Sequence, residues 1–216
     1  MALEIEVKFF LSNPESLRRK ILGRIPSMGG RSGGRVFERN VRYEDEGENL
    51  FRQRSLLRLR QDRRVRLTFK RDTGDASGQD RRRFKIFEEL EVEVSDFSTM
   101  AGILEALGYR PVQVYEKWRE TFEMERSQIC MDTMPFGEFI EIEGERDAIP
   151  ELAEQLGLDW ERRILDNYLR IFARLKDAVP LPFNDITFDN FKRLPSSATI
   201  QDFSAYIQEF ECRRQD

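Results

Sequence analysis

The sequence contains no histidine and only two cysteines, Cys130 and Cys212, neither of which belongs to a recognisable motif. Without histidine the chain cannot use Ser-His or Cys-His catalysis or an imidazole base, and it lacks the usual zinc ligands. A metal ion would have to bind carboxylate oxygens, which favours Mg²⁺ or Mn²⁺ over Zn²⁺ or copper. Two isolated cysteines are typical of buried or free thiols and do not indicate a disulfide framework.

Long apolar runs are also missing, and Met1 leads directly into a charged segment. The sequence therefore predicts neither a signal peptide nor a membrane span, and we expect a cytoplasmic protein without a membrane partner. Neither sign of charge dominates, because 36 Lys and Arg face 40 Asp and Glu, giving a formal net charge of -4. This balance argues against a DNA-binding protein or a general nucleic-acid binder that relies on a basic surface.

Charged and aliphatic residues alternate along several predicted strands. Acidic residues take every second position in Glu4-Ile5-Glu6-Val7-Lys8, Glu89-Leu90-Glu91-Val92-Glu93 and Phe139-Ile140-Glu141-Ile142-Glu143. Basic residues have the same spacing in other runs, at Arg58 and Arg60, at Lys70 and at Lys117 and Arg119. Because successive side chains of a strand face opposite sides, the charged residues of each run share one face. We predict that the aliphatic faces pack against helices and that the charged faces line one polar cavity.

The order of the predicted elements repeats. We predict strands at residues 3–10, 36–44, 55–60 and 64–70, and again at 89–94, 112–123, 128–132 and 138–143. Helices are predicted to begin at Asn13-Pro14 and at Ser95-Asp96, the second ending at Gly108, and residues 27–34 and 72–80 are predicted loops. This repetition indicates an internally duplicated strand-helix-strands unit, whose two halves could close into one barrel without exposed edges.

After Gly144 the pattern becomes helical. Helices are predicted from Ile149 to about Gly157, over residues 162–175 and, beyond a proline-rich break, over residues 199–210. We therefore divide the chain into a domain at residues 1–178 and a C-terminal extension at residues 179–216. The amphipathic helix of the extension is expected to pack on the body or to contact a partner.

A cavity that holds both arginines and carboxylates is suited to a metal-bound polyphosphate. Arginine and lysine side chains bind several phosphate groups in a row. Carboxylates would repel phosphate alone, so they make sense where a divalent cation bridges carboxylate and phosphate oxygens.

In this order the motifs resemble the CYTH superfamily, the triphosphate tunnel metalloenzymes. Glu4-x-Glu6-x-Lys8 matches the hallmark of that family, and further matches are Leu57-Arg58-Leu59-Arg60, Leu67-Thr68-Phe69-Lys70, Glu116-Lys117-Trp118-Arg119 and Asn167-Tyr168-Leu169. The resemblance covers about residues 2–175. It implies an α+β fold in which a closed eight-stranded antiparallel β-barrel forms a tunnel, with helices packed outside.

The resemblance also implies roles for individual residues. Mg²⁺ or Mn²⁺ would be held by Glu4, Glu6, Glu141 and Glu143, assisted by Asp132. The triphosphate would be held by Arg58, Arg60, Lys70, Lys117 and Arg119, with Glu89 and Glu91 completing the acidic lining. Lys8 is the candidate catalytic residue, and Tyr43 is the candidate tyrosine partner that some family hydrolases use.

Three functions remain open at this point. The family includes class IV adenylyl cyclases, thiamine triphosphatases, tripolyphosphatases and RNA triphosphatases, and a binding module without turnover is a third possibility. The sequence shows no adenine-reading motif, which favours metal-dependent hydrolysis of a small-molecule triphosphate over cyclisation of ATP. A protein that only binds phosphate would not need so many carboxylates, which argues against the binding module. Members of the family are often dimers, so by analogy a homodimer is one alternative, but the sequence does not determine the oligomeric state.

Overall fold

Eight strands form one closed antiparallel barrel in the computed structural model, which describes residues 2–72, 78–194, 203, 206 and 207. The strands are β1 (Ala2–Phe10), β2 (Arg31–Glu44), β3 (Ser55–Gln61), β4 (Val65–Arg71), β5 (Lys85–Val94), β6 (Arg110–Glu123), β7 (Ser127–Met134) and β8 (Gly137–Gly144). Around the barrel their order is β1-β5-β4-β3-β2-β6-β7-β8. The predicted fold class is therefore confirmed.

In the described residues, seven α-helices lie between or after the strands. They are α1 (Pro14–Arg24), α2 (Asn49–Arg52), α3 (Gly78–Arg83), α4 (Phe97–Ala106), α5 (Ala148–Leu156), α6 (Tyr168–Ala178) and α7 (Phe188–Lys192), and short 3₁₀ turns cover Pro26–Met28 and Trp160–Arg162. Among the described residues, no helix is long and apolar enough to cross a membrane.

The strand order has the symmetry expected of two similar halves. β1 pairs with β5 and β2 pairs with β6, while β2-β3-β4 and β6-β7-β8 each form a run of neighbouring antiparallel strands. Exchanging the first four strands for the last four leaves the order around the barrel unchanged. This arrangement fits the repeated strand-helix-strands unit seen in the sequence.

Two apolar clusters cover the outside of the barrel. The aliphatic positions of β1, β7 and β8 pack against α1 and α5, with Val7, Ile140 and Ile142 fully buried. On the other side, α4 packs through Leu104 on Val41 and other outward residues of β2 and β3. Because these aliphatic faces are covered from outside, the alternating charged faces must point inward.

A third cluster closes one end of the barrel. It joins Phe10 and Phe139, at the ends of β1 and β8, to Phe136 and to Phe172 of α6. The described part of the C-terminal extension belongs to the same cluster, including Leu181, Ile186, Phe203 and Ile207. The extension is therefore packed on the barrel where the structure describes it, and most of the predicted helix over residues 199–210 lies outside the described residues.

Several local boundaries differ from the sequence prediction, and β5, for example, begins at Lys85, four residues before the predicted strand at 89–94. β2 already begins at Arg31, inside the predicted loop 27–34, and a register shift next to Gly34, whose φ is +79°, accommodates the glycines in a bulge. The helix predicted from residue 162 begins only at Tyr168, because Ile164 forms a backbone bridge with Lys8 and Asn167 caps the helix. In the predicted loop 72–80, α3 begins at Gly78, and residues 73–77 lie outside the described part.

Candidate active site

The inward side chains of the strands line one cavity of about 1010 Å³ inside the barrel. All the predicted site residues line this cavity except Asp132 and Tyr43. Those that do are Glu4, Glu6, Lys8, Arg58, Arg60, Lys70, Glu89, Glu91, Lys117, Arg119, Glu141 and Glu143. Residues that are up to 139 positions apart in sequence, such as Glu4 and Glu143, thus share one enclosed space.

Most of the acidic and most of the basic side chains lie on different sides of the cavity, although Lys8 and Lys85 lie on the acidic side and Glu38 on the basic side. β8, β1 and β5 are consecutive in the barrel and carry Glu141, Glu143, Glu4, Glu6, Glu89 and Glu91. β4, β3 and β6 lie on the other side and carry Lys70, Arg58, Arg60, Lys117 and Arg119. We refer to these two sets as the acidic wall and the basic wall.

Two lysines form ion pairs with glutamates of the acidic wall. Lys70 contacts Glu4 and Glu89, each at 2.5 Å, and Lys85 forms an ion pair with Glu6. Burial alone would raise the pKa of Glu6, but Lys85 and other nearby lysines outweigh it and lower that pKa to about 2. Glu6 is therefore a stable carboxylate at neutral pH.

Glu143 differs from its neighbours because it has no ion-pair partner within the described part of the chain. Burial, together with the negative charges of Glu4 and Glu6, raises the pKa of Glu143 to about 7. Burial and the charge of Glu6 also raise the pKa of Glu4. The part of the acidic wall that holds Glu4, Glu6 and Glu143 thus carries more negative charge than the positive side chains around it neutralise.

The chemistry of this part of the acidic wall fits a hard divalent cation, since its donors are carboxylates crowded together without enough positive partners. In residues 2–72 and 78–194, however, no three Asp, Glu or Cys side chains are gathered around a single point that could hold a metal. Instead, Lys70 and Lys85 form ion pairs with Glu4 and Glu6.

Deeper in the barrel, Asp132 is the centre of a hydrogen-bonded network. Its carboxylate is fully buried and accepts hydrogen bonds from Lys117 at 3.0 Å, from Arg119 at 2.7 and 2.5 Å, and from the hydroxyl of Tyr168 at 2.8 Å. Arg119 also bonds to Glu141. Asp132 therefore orients the basic wall, and this geometry gives no support to its predicted role in assisting the metal.

Lys8 lies next to this network and is 1% exposed. Its ammonium group donates to Glu141 and lies 4.2 Å from the centre of the Tyr168 ring. Glu141 thus links Lys8 to Arg119, which leaves it poorly placed to bind a metal ion unless these bonds are exchanged.

The prediction that Tyr43 is the tyrosine of the site was wrong, because this side chain does not point into the cavity. Tyr43 faces the outside of the barrel, where it is 2% exposed and packs in the cluster of Leu57, Leu59 and Leu104. It pairs with Leu57, whereas the inward residue Arg42 pairs with Arg58, so Tyr43 is on the opposite face from the cavity. The tyrosine that contacts Lys8 is Tyr168, at the first position of α6.

The two arginines of β3 have different surroundings. Arg60 bonds to Glu91 at 2.8 Å and lies 3.8 Å from Glu38. Arg58 bonds to the hydroxyl of Tyr115 at 3.0 Å, and among the described residues it has no carboxylate within 4.0 Å. A buried guanidinium without a carboxylate partner leaves donors available for an anionic ligand.

Among the polar residues of the cavity that the sequence analysis did not assign to the site are Glu38, Lys85, Tyr115 and Tyr168. Burial raises the pKa of Glu38, but Lys117 and Arg119 outweigh it and lower that pKa to about 2, so Glu38 is an anion of the basic wall. Extending the period-two pattern along β2 and back to the start of β5 would have found Glu38 and Lys85. Tyr168 lies in the matched segment Asn167-Tyr168-Leu169, to which no role was assigned, and nothing local distinguishes Tyr115 from a packing residue.

Comparison with known proteins identifies a family model described as CYTH domain, which matches residues 2–164. A search of the curated proteins found no match. Among solved structures, a protein of Pyrococcus horikoshii OT3 is 26% identical, with a TM-score of 0.58 over 76% of this chain and 96% of its own.

Two further structures share the fold. A candidate adenylate cyclase from Vibrio parahaemolyticus is 19% identical, with a TM-score of 0.67 over 79% of this chain and 98% of its own. A candidate adenylyl cyclase from Hippeastrum, whose dominant activity is that of a triphosphatase, is 17% identical, with a TM-score of 0.56 over 83% of this chain and 98% of its own. At these identities the likeness shows the fold alone.

Proposed function

The chain belongs to the CYTH domain family, and on this premise we propose that it hydrolyses a small triphosphate with the help of a divalent cation. The observation that carries the proposal is the division of one enclosed cavity into an acidic wall and a basic wall. A polyanion needs the basic wall, and the excess negative charge around Glu143 needs a cation.

The basic wall supplies the substrate contacts. Arg58 has donors that no protein carboxylate uses, and Lys117 and Arg119 are held in place by Asp132. Charge-assisted bonds from such side chains to phosphate oxygens fix a triphosphate along the wall. Because these residues are already ordered by buried partners, little side-chain freedom is lost when the substrate binds.

The acidic wall supplies the site for the cation. Glu4, Glu6 and Glu143 are the residues we expect to hold Mg²⁺ or Mn²⁺, which would neutralise charge on the phosphate oxygens. The phosphates of a bound substrate would offer Lys70 and Lys85 new anionic partners, which would free Glu4 and Glu6 to hold the cation.

Lys8 and Tyr168 lie where the two walls meet. The ammonium group of Lys8, held by Glu141, places a positive charge beside the reacting phosphoryl group. Burial and the charge of Asp132 raise the pKa of Tyr168 far above its ordinary value, so the phenol keeps its proton and orients Asp132 instead of acting as a base. Positioning and electrostatics provide most of the catalysis in phosphoryl transfer, and these residues provide both.

Hydrolysis is favoured over cyclisation because it needs only water as the second reactant. Cyclisation of ATP also requires a pocket that holds adenine and presents the ribose hydroxyl to the α-phosphate. The cavity is lined mainly by charged residues, which suits phosphates better than a base.

The test is to incubate the purified protein with tripolyphosphate or ATP, with Mg²⁺, with Mn²⁺ or with a chelator, and to resolve the products by ³¹P NMR. We expect orthophosphate and the diphosphate product, and no turnover with the chelator. Pyrophosphate and cyclic AMP would identify a cyclase and overturn the proposal. Binding of tripolyphosphate without any turnover would identify a binding module.

A further inference from the structure

Residues 184–188, here called the C-terminal strap, lie beyond the part of the chain that matches the family model, yet they pair with a strand of the active site. Ile186 is fully buried and forms a parallel bridge with Tyr115. Its N–H donates to Val114 O at 2.8 Å, and its carbonyl accepts from the N–H of Glu116 at 2.9 Å.

Three side chains reinforce this pairing. The N–H of Val114 donates to Oδ1 of Asp185 at 2.8 Å, and Nε2 of Gln113 donates to the carbonyl of Asn184 at 2.8 Å. Glu116 accepts from the N–H of Phe188 at 3.0 Å. Five hydrogen bonds therefore connect the strap to residues 113–116.

The strap occupies an edge that the barrel leaves free. β7 pairs with β6 only from Trp118 onwards, so within the described part of the chain the preceding residues of β6 have β2 on one side and no barrel strand on the other. Without the strap, backbone groups of this stretch would have no partner from the barrel. This stretch contains Tyr115 and leads directly into Lys117.

Tyr115 connects the strap to the basic wall. Its side chain is 4% exposed and points into the barrel, where the hydroxyl accepts the hydrogen bond of Arg58. That bond is the one side-chain hydrogen bond that Arg58 makes with the described residues, so the orientation of its guanidinium group depends on the position of Tyr115.

We propose that Tyr115 is a positioning residue for Arg58 and that the C-terminal strap fixes Tyr115 by pairing with β6. This inference rests on the proposed function, in which Arg58 binds the triphosphate. The strap thereby makes the C-terminal extension part of substrate binding, although none of its residues needs to touch the substrate.

The experiment measures kcat and KM for tripolyphosphate in the full-length protein. Tyr115→Phe is expected to raise KM about tenfold, the scale of one hydrogen bond to a charged group, with kcat little changed. Tyr109→Phe, which removes a hydroxyl from the outer cluster, is the matched control and should leave KM unchanged. Thermal unfolding establishes that both variants are folded.

A double-mutant cycle separates positioning from a general structural role. If Tyr115 acts through Arg58, Tyr115→Phe has no further effect on KM in an Arg58→Ala background. An equal rise in both backgrounds, or a wild-type KM in Tyr115→Phe, would overturn the assignment.

The strap is tested through Asp185. Asp185→Ala removes the acceptor for Val114 and is expected to raise KM about fivefold, whereas Asp185→Asn keeps an acceptor and should retain the wild-type value. Equal KM values for Asp185→Ala and wild type would overturn the role of the strap. If the wild-type protein neither binds nor hydrolyses triphosphates, the proposed function itself fails; if it does both and the variants match it, only the present inference fails.

Discussion

The hydroxyl of Tyr168 donates a hydrogen bond to Oδ2 of Asp132 at 2.8 Å, and the ring of Tyr168 makes a cation–π contact with the ammonium group of Lys8. The bond joins the first residue of α6 to the middle of β7, and Asp132 in turn holds Lys117 and Arg119. One tyrosine from outside the barrel therefore helps to orient both the basic wall and Lys8.

This relationship predicts different effects for two tyrosine variants. Tyr168→Phe should lower kcat/KM about tenfold, because it removes a hydrogen bond to a buried carboxylate worth roughly 1.5 kcal/mol. Tyr43→Phe should leave kcat/KM unchanged, because Tyr43 lies in the outer cluster. Steady-state kinetics of both variants measure kcat/KM. A loss of kcat/KM in Tyr43→Phe alone would show that Tyr43 is the tyrosine of the site.

The acidic wall predicts a selective loss of turnover. Glu4→Gln and Glu6→Gln should each lower kcat by about 100-fold or more, beyond the roughly 10–100-fold typical of residues that only support a metal ligand. Glu88→Gln is the matched control, since Glu88 pairs with Arg71 and does not line the cavity. Near-normal turnover in both cavity variants, with Mg²⁺ or Mn²⁺ present, would remove these carboxylates from the metal site.

The raised pKa of Glu143 predicts how stability changes with pH when a chelator is present. The ordinary pKa of about 4.5 applies in the unfolded chain and about 7 in the folded one, so between these values the folded state binds more protons. The contribution of Glu143 to the free energy of unfolding is therefore fully present below about pH 4.5. It decreases as the pH rises and is lost as the pH passes through about 7, a loss of at most about 3 kcal/mol.

Glu143→Gln should remove this loss. Thermal unfolding of both proteins from pH 5 to pH 8 should show the variant gaining stability relative to wild type as the pH rises. Parallel curves would mean that Glu143 is not crowded by Glu4 and Glu6 as the structure indicates.

The two arginines of β3 should not contribute equally to substrate binding. Arg58 has no carboxylate partner within 4.0 Å among the described residues, whereas the charge of Arg60 is partly neutralised by Glu91 and Glu38. We expect Arg58→Ala to raise KM by roughly 10- to 100-fold, the scale of a charge-assisted contact, and Arg60→Ala to raise it less. Titration of tripolyphosphate against initial rate gives both values. The reverse ranking would show that substrate displaces Glu91 from Arg60.

Much of the barrel could be predicted because its signal is local. The period-two runs gave the first and last strands within one or two residues, and Asp96 and Gly157 mark helix ends where capping rules expect them. The start of β2 was missed because glycines at 33 and 34 normally indicate a loop, and here a bulge absorbs them. Helix α6 was started too early because the bridge between Ile164 and Lys8 comes from another part of the chain.

The tyrosine shows the limit of sequence reasoning about the site. Tyr43 and Arg42 are adjacent, and a shift of one residue in strand register exchanges the cavity for the outer core. Only the pairing of β2 with β3 decides between them. Tyr168 enters the site from a helix that follows all eight strands, and no spacing in the sequence relates it to Lys8.

By itself, the sequence determined which side chains share a face, because the alternation along a strand depends on local backbone geometry alone. It thereby determined that acids and bases would line one cavity. The tertiary structure decided which acid meets which base, as in the bond between Lys8 and Glu141, 133 residues apart. Such pairs depend on strand order, register and the closure of one barrel end by the C-terminal extension, which arise from contacts between distant segments.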